Sequence, residues 1–232
     1  MRRMSRLAQR GMVISLFLSI CVAIPAGASV ISWTDWTSAT TGTSGSAAGT
    51  IMGGTVGVNY DGEITFAQLG SGTNYWTEPN PSSLPYTGNV VVGNAPTPAE
   101  MIATDLADGT RSITFTAPVL NPILAIVSLG RSALPVTYDF DQSFTVLSEG
   151  QGFWGDGTYT VGAGDILTGR EFHGVIQFSG MVSSINWSSS PSEYWHGITV
   201  GVANSVPEPS TMFLLGSGLL GLVGYGRRKL KK

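Results

Sequence analysis

From Val56 to Ala203 the chain is written in short runs whose apolar residues fall at every second position. Val56, Val58 and Tyr60 share one parity, and Ile64 and Phe66 follow. Ile113 and Phe115 alternate with Thr114 and Thr116, and Val136, Tyr138 and Phe140 with Thr137, Asp139 and Asp141. Met181, Ser183, Ile185 and Trp187 form another such row, and Ile198, Val200 and Val202 a last one. A period of two belongs to strands with one buried face. The stretch ILAIVSL at 123–129 is apolar on both parities, as expected of a central strand. Further strands are expected over 158–161, 165–170 and 174–178, and no long helical period is present. These features predict an all-β fold, a jelly-roll-like β-sandwich spanning 29–205.

Four local expectations accompany that reading. A three-residue loop, Tyr60-Asp61-Gly62 with Gly62 left-handed, would pair Val58 with Ile64. Thr97-Pro98-Ala99-Glu100 fits a capping box and predicts a short helix near 98–106. Residues 29–50, rich in Ser, Thr, Gly and Ala after Trp36, are expected to form a partly loose lead-in. Residues 71–97, with many Pro, Asn and Ser, are expected to form a long surface loop.

The two ends differ from this body. Arg2, Arg3, Arg6 and Arg10 precede an apolar run at 11–24, then Pro25 and a small-x-small site at Ala26-Gly27-Ala28. This order predicts a secretory signal peptide over 1–28, removed by signal peptidase after Ala28. At the other end, residues 212–226 carry no charge, and Arg227, Arg228, Lys229, Lys231 and Lys232 follow. A single C-terminal transmembrane helix is expected there, about 22 Å long against ~30 Å of hydrocarbon. The basic cluster would stay on the cytoplasmic side, leaving the body outside.

Val206-Pro207-Glu208-Pro209, an apolar helix and a terminal basic cluster, in that order, resemble the PEP-CTERM sorting signal of Gram-negative bacteria. The resemblance covers 206–232. It implies that Pro207, Glu208 and Pro209 are the triplet read by a membrane-embedded exosortase. It also implies passage across the inner membrane as an anchored precursor, then residence at the cell surface or in the exopolysaccharide matrix. The stretches NPILAIVSLG and WHGITVGVA are similar to the bodies of other PEP-CTERM proteins, which adds no active site.

Charge and residue counts narrow the function of 29–205. Three arginines, Arg111, Arg131 and Arg170, face fourteen acids, a net charge of −11, and there is no lysine. Such a surface repels nucleic acid, which requires a basic footprint. The one cysteine, Cys21, lies in the signal peptide, so the exported body has neither a disulfide nor a thiol nucleophile. His173 and His196 are the only histidines, too few for a three-histidine zinc site. No GxSxG elbow occurs, and GTSGS at 42–46 does not match one.

A non-catalytic surface or matrix role is therefore the first expectation, with no required cofactor. The alternative is a carbohydrate-binding module, because tryptophan faces stack on sugar rings. Trp154 in GFWGDG and Trp195, which is opposite in parity to Ile198, are the candidates for extracellular polysaccharide. Calcium is the candidate metal, held by Asp139 and Asp141 on one strand face with Asp156 from a glycine-rich loop. A secreted glycosidase would instead draw two carboxylates from Asp139, Asp141, Glu149, Asp156, Asp165 and Glu171. Trp187 and His196 are expected in the core, and His173 in a turn.

Overall fold

A computed structural model describes residues 28–77, 84–106, 109–204, 214 and 216–221. The chain is all-β, with two antiparallel sheets. The strands are β1 (Ile31–Trp33), β2 (Asp35–Thr40), β3 (Gly42–Ile51), β4 (Val56–Ile64), β5 (Phe66–Gln68), β6 (Met101–Thr104), β7 (Thr110–Leu120), β8 (Ile123–Leu129), β9 (Val136–Phe140), β10 (Phe144–Glu149), β11 (Thr158–Gly162), β12 (Ile166–Arg170), β13 (Phe172–Phe178), β14 (Met181–Ser190) and β15 (His196–Ala203). Among the described residues, the helical pieces between them are a 3-10 turn at Met52–Gly54 and α1 at Leu84–Thr87.

The first sheet has the order β10-β13-β8-β15-β6-β5, with β1 also on β15; the second runs β11-β12-β9-β14-β7-β4-β3-β2. From β6 onward the chain passes back and forth between the sheets. The inward faces meet in one core that takes Ile102, Leu124, Ile126, Ile176, Ile198 and Val200 from the first sheet and Trp36, Tyr60, Ile113, Tyr138, Ile185 and Trp187 from the second. Trp187 is in the core, as its parity requires.

All seven residues of β8 are buried. Leu124 and Ile126 point into the core between the sheets, while Ile123, Ala125 and Val127 join a second cluster on the outer face. Trp76, Tyr86 and Val92 cover that face. The described parts of the long 71–97 connection, α1 among them, thus cover one face of the first sheet.

Three local expectations are corrected. Residues 29–50 are not a loose lead-in: they form β1, β2 and β3, and Trp36 is fully buried. Small residues in β3 suit close strand pairing, and the alternation of Ala47, Gly49 and Ile51 supplies its inward face. Asp61 and Gly62 do not turn the chain. β4 continues to Ile64, with Val58 opposite Gly49 on one side and Phe115 on the other. Positions 56, 58, 60 and 64 already share one parity, so a straight strand keeps them on one face without a hairpin. Thr97 and Glu100 do make the contacts of a capping box: the Thr97 amide donates to the Glu100 carboxylate and the Glu100 amide to the Thr97 carbonyl at 3.0 Å. No helix follows, because Met101–Thr104 is buried on both faces as β6. The demand for strand burial outweighs the cap.

Gly62 has φ 151, and a Cβ there would lie 2.9 Å from the Tyr60 hydroxyl and 3.0 Å from Arg111 Cγ. The missing side chain makes room for the buried Arg111, which pairs with Glu63 at 3.5 Å. Glu63 also accepts the amides of Asp105 (3.0 Å) and Leu106 (3.3 Å), and Arg111 donates to the Leu106 carbonyl. Removing one partner of a buried ion pair strands the other charge. Glu63→Ala is expected to lower stability by about 3–5 kcal/mol in urea unfolding. The double variant Glu63→Leu/Arg111→Met is expected to recover most of that loss.

Candidate functional site

Trp154 and Trp195 come together. Trp154 sits at the tip of a turn closed by reciprocal backbone hydrogen bonds between Gly152 and Gly155, at 2.8 and 3.3 Å. Gly155 requires glycine, with φ 128. Trp195 immediately precedes β15 and faces outward from the first sheet, half-buried. The two ring centroids lie 4.9 Å apart at 79°. Tyr75, delivered by the 71–97 connection, stacks on Trp154 at 5.3 Å and 19° and meets Trp195 edge-on at 4.9 Å. Phe66 supports Trp195 at 5.0 Å. Trp154 remains 45% exposed. This cluster gives one rigid aromatic wall with an accessible face.

Two depressions flank Trp154. One, of about 340 Å³, is lined by Ser128, Arg131, Glu171, Glu193, Tyr194 and Trp195 as well as Trp154. The other, of about 240 Å³, is lined by Ser132, Asp156, Thr158, Arg170 and again Trp154 and Glu171. Trp154 and Glu171 belong to both, so the two form one groove with a central ridge.

The floor is made by an irregularity in strand pairing. Leu129 opposes Phe172 and Ile126 opposes Gly174, so Val127 and Ser128 together face His173. This is a β-bulge, a device that re-aims side chains. Ser128 (φ 60) and Glu171 (φ 65) both hold left-handed backbone conformations, a cost of about 1–3 kcal/mol each. The Ser128 hydroxyl donates to the Glu171 carboxylate, and the Ser128 amide donates to His173 Nδ1 at 3.3 Å. His173 Nε2 lies 3.3 Å from Glu171. His173 is therefore a buried strand residue beneath the groove, not a turn residue.

Glu171 is held below the usual carboxylate range. Burial pushes its pKa up, but the Ser128 hydroxyl, the neighbouring His173 ring and the positive charge of Arg131 outweigh burial. Glu171 is thus an ionised acceptor at neutral pH. Glu193 is nearly enclosed and accepts the Gly130 amide at 2.8 Å and His196 Nδ1–H at 2.7 Å. His196 Nε2 is hydrogen-bonded to the Thr104 hydroxyl at 2.9 Å, so both ring nitrogens have partners. His196 is the hydrogen-bonded core histidine its parity implied. Arg131 lies over the exposed Tyr194 ring, 4.4 Å from its centroid.

The candidate calcium ligands are not assembled into a site. Asp139 on β9 is opposite Ile166, whereas Asp156 precedes Thr158, which is opposite Arg170. Four residue rows separate those positions, about 13 Å along the strands. Asp141 is occupied by Asn186, accepting from its amide at 3.1 Å and its side chain at 2.6 Å. Among the described residues, no group of three or more His, Cys, Asp or Glu is arranged to hold a metal. Of the six candidate glycosidase acids, only Asp156 and Glu171 line the groove. Ser128, Arg131, Glu193, Tyr194 and Tyr75 were not singled out from the sequence. The bulge that re-aims Ser128 leaves no mark in an otherwise apolar run.

Glu171 carries a pH signature. Its folded-state pKa is depressed, so its contribution to stability is complete above the ordinary carboxylate range and is lost as pH falls through the lowered value. The difference in urea midpoint between the wild type and Glu171→Gln is expected to be largest near pH 7 and to shrink toward pH 3. A difference independent of pH would contradict the ionised assignment.

The sorting triplet Pro207, Glu208 and Pro209 and the signal peptide 1–28, apart from Ala28, lie outside the described residues. The expected membrane helix over 212–226 lies largely outside them as well. Residues 214 and 216–221 are helical, and no helix among the described residues is long and apolar enough to cross a membrane. No curated protein and no solved structure matches the chain. A family model, the PEP-CTERM protein-sorting motif, matches residues 205–229. That motif implies export and an anchored precursor processed by an exosortase. The tail read from Pro-Glu-Pro, an apolar run and a basic end is therefore a PEP-CTERM protein-sorting motif, and the chain that carries it is similar to exosortase substrates.

Proposed function

We propose that residues 29–205 form a non-catalytic, jelly-roll-like module that is displayed at the cell surface or in the extracellular matrix and binds polysaccharide in the aromatic groove. The observation that carries this reading is the meeting of Trp154 and Trp195, with centroids 4.9 Å apart, beside an open depression. Neither tryptophan is near the other in sequence, and one keeps an exposed face. A large exposed aromatic beside convergent polar groups is the usual form of a small-ligand site.

The placement of the ends supports display. β15 begins beside the groove and ends at Ala203, about 25 Å away along the strand. Ala203 pairs with Ile31, and the Asn204 amide donates to the Val30 carbonyl at 2.9 Å. Both ends of the body thus leave from the pole remote from the groove. A body held by its tail would present the groove outward. The glycosidase alternative draws less support. An inverting or retaining glycosidase needs a protonated acid at neutral pH, whereas Glu171 is held ionised and Glu193 is enclosed by Gly130 and His196.

The full chain in detergent micelles is expected to be retained by a subset of bacterial polysaccharides on a glycan array. Trp154→Ala is expected to weaken that retention about tenfold or more, and chelation by EDTA to leave it unchanged. Absence of binding across the array, or full binding by Trp154→Ala, would remove the sugar-binding reading. Independently, intact-mass analysis of the mature protein from a host with an exosortase is expected to show Ser29 first and the basic cluster absent.

A further inference from the structure

The body is poor in cations, and where they sit is informative. Of its three arginines, Arg111 is buried against Glu63. The two that reach solvent, Arg131 and Arg170, both line the groove, one in each depression on either side of Trp154. In a body with fourteen acids and no lysine, random placement of solvated charge would not gather them there.

Neither arginine forms an ion pair among the described residues. Arg131 Nε is buried without a hydrogen-bond partner among them, while its guanidinium plane is fixed over Tyr194. Arg170 donates one bond, from Nη1 to the Ser132 carbonyl at 2.8 Å. Two of the three acids in the groove are already occupied. Glu171 accepts from Ser128, and Glu193 accepts from Gly130 and His196. Two pre-positioned guanidinium groups with unused donors match carboxylates, which take paired N–H donors from one arginine.

Resting on the sugar-binding reading, we infer that the groove takes a carboxylated oligosaccharide lying across Trp154, with Arg131 meeting an acidic group in one depression and Arg170 an acidic group in the other. The ligand is therefore a segment of an acidic chain longer than one sugar unit, not a single neutral sugar. The rest of the body has no other solvent-facing arginine or lysine, so it offers such a chain no competing pair of cations.

The test uses the full chain on an array of acidic and neutral bacterial polysaccharides. Each acidic member is printed beside the same polymer with its carboxylates chemically reduced to alcohols. Binding is expected on acidic members, to be lost on their reduced counterparts and to weaken as sodium chloride rises from 50 to 500 mM (about a threefold change in Debye length). Arg131→Gln and Arg170→Gln are each expected to lower affinity about tenfold or more, with unchanged thermal midpoints as the check on folding. Equal binding to native and reduced polymers, or binding to neutral members alone, would overturn the inference and leave the sugar-binding reading standing. No binding to any member would overturn both.

Discussion

Strand β8 has no side that faces water, and the rest of the molecule is arranged around that fact. Its even-numbered Leu124 and Ile126 fill the space between the sheets, and Ile123, Ala125 and Val127 face the other way. An antiparallel sheet can leave one face to solvent, but a central strand apolar on both parities cannot. The described parts of the 71–97 connection provide the cover, with Trp76 meeting Tyr86 edge-on at 5.2 Å and Val92 in the same cluster. The same segment carries Tyr75 to the groove, where it stacks on Trp154. The cover over β8 and one wall of the groove are therefore one piece of chain.

The groove also depends on a local break in β8's regularity. The bulge at Val127-Ser128 turns Ser128 out of the ladder and sets its hydroxyl on Glu171. Two non-glycine residues in left-handed conformations meet at that bond. Backbone strain is thus concentrated at an open groove, beside a buried histidine and an unpartnered arginine nitrogen. The groove lies at the opposite end of β15 from the paired ends of the body, so the surface that leads into the sorting tail and the groove do not overlap.

Much of the architecture was legible from residues. The period of two identified β4, β7, β9, β14 and β15, and the doubly apolar run identified a central strand. The errors share one cause. A capping box, an Asp-Gly pair and a Ser/Thr/Gly-rich stretch are local signals, and each was overridden by strand pairing: β6 with β15, β4 with both β3 and β7, and β2 with β3. Trp195 was read as outward-facing from parity alone. Its meeting with Trp154 was not readable, because a closed turn, a loop aromatic and the start of β15 converge only when both sheets are formed.

By itself the sequence determined what each segment is made for. It specified strands by alternation, an acidic body by composition, and a sorting tail by the order of three short features, all properties that can be read without knowing which distant residues meet. Only the tertiary structure decided where two arginines, two tryptophans and a strained glutamate end up. Their common location follows from strand order, one bulge and a covering loop, and contacts between residues so distant in sequence are set by packing of the whole sandwich rather than by any local pattern.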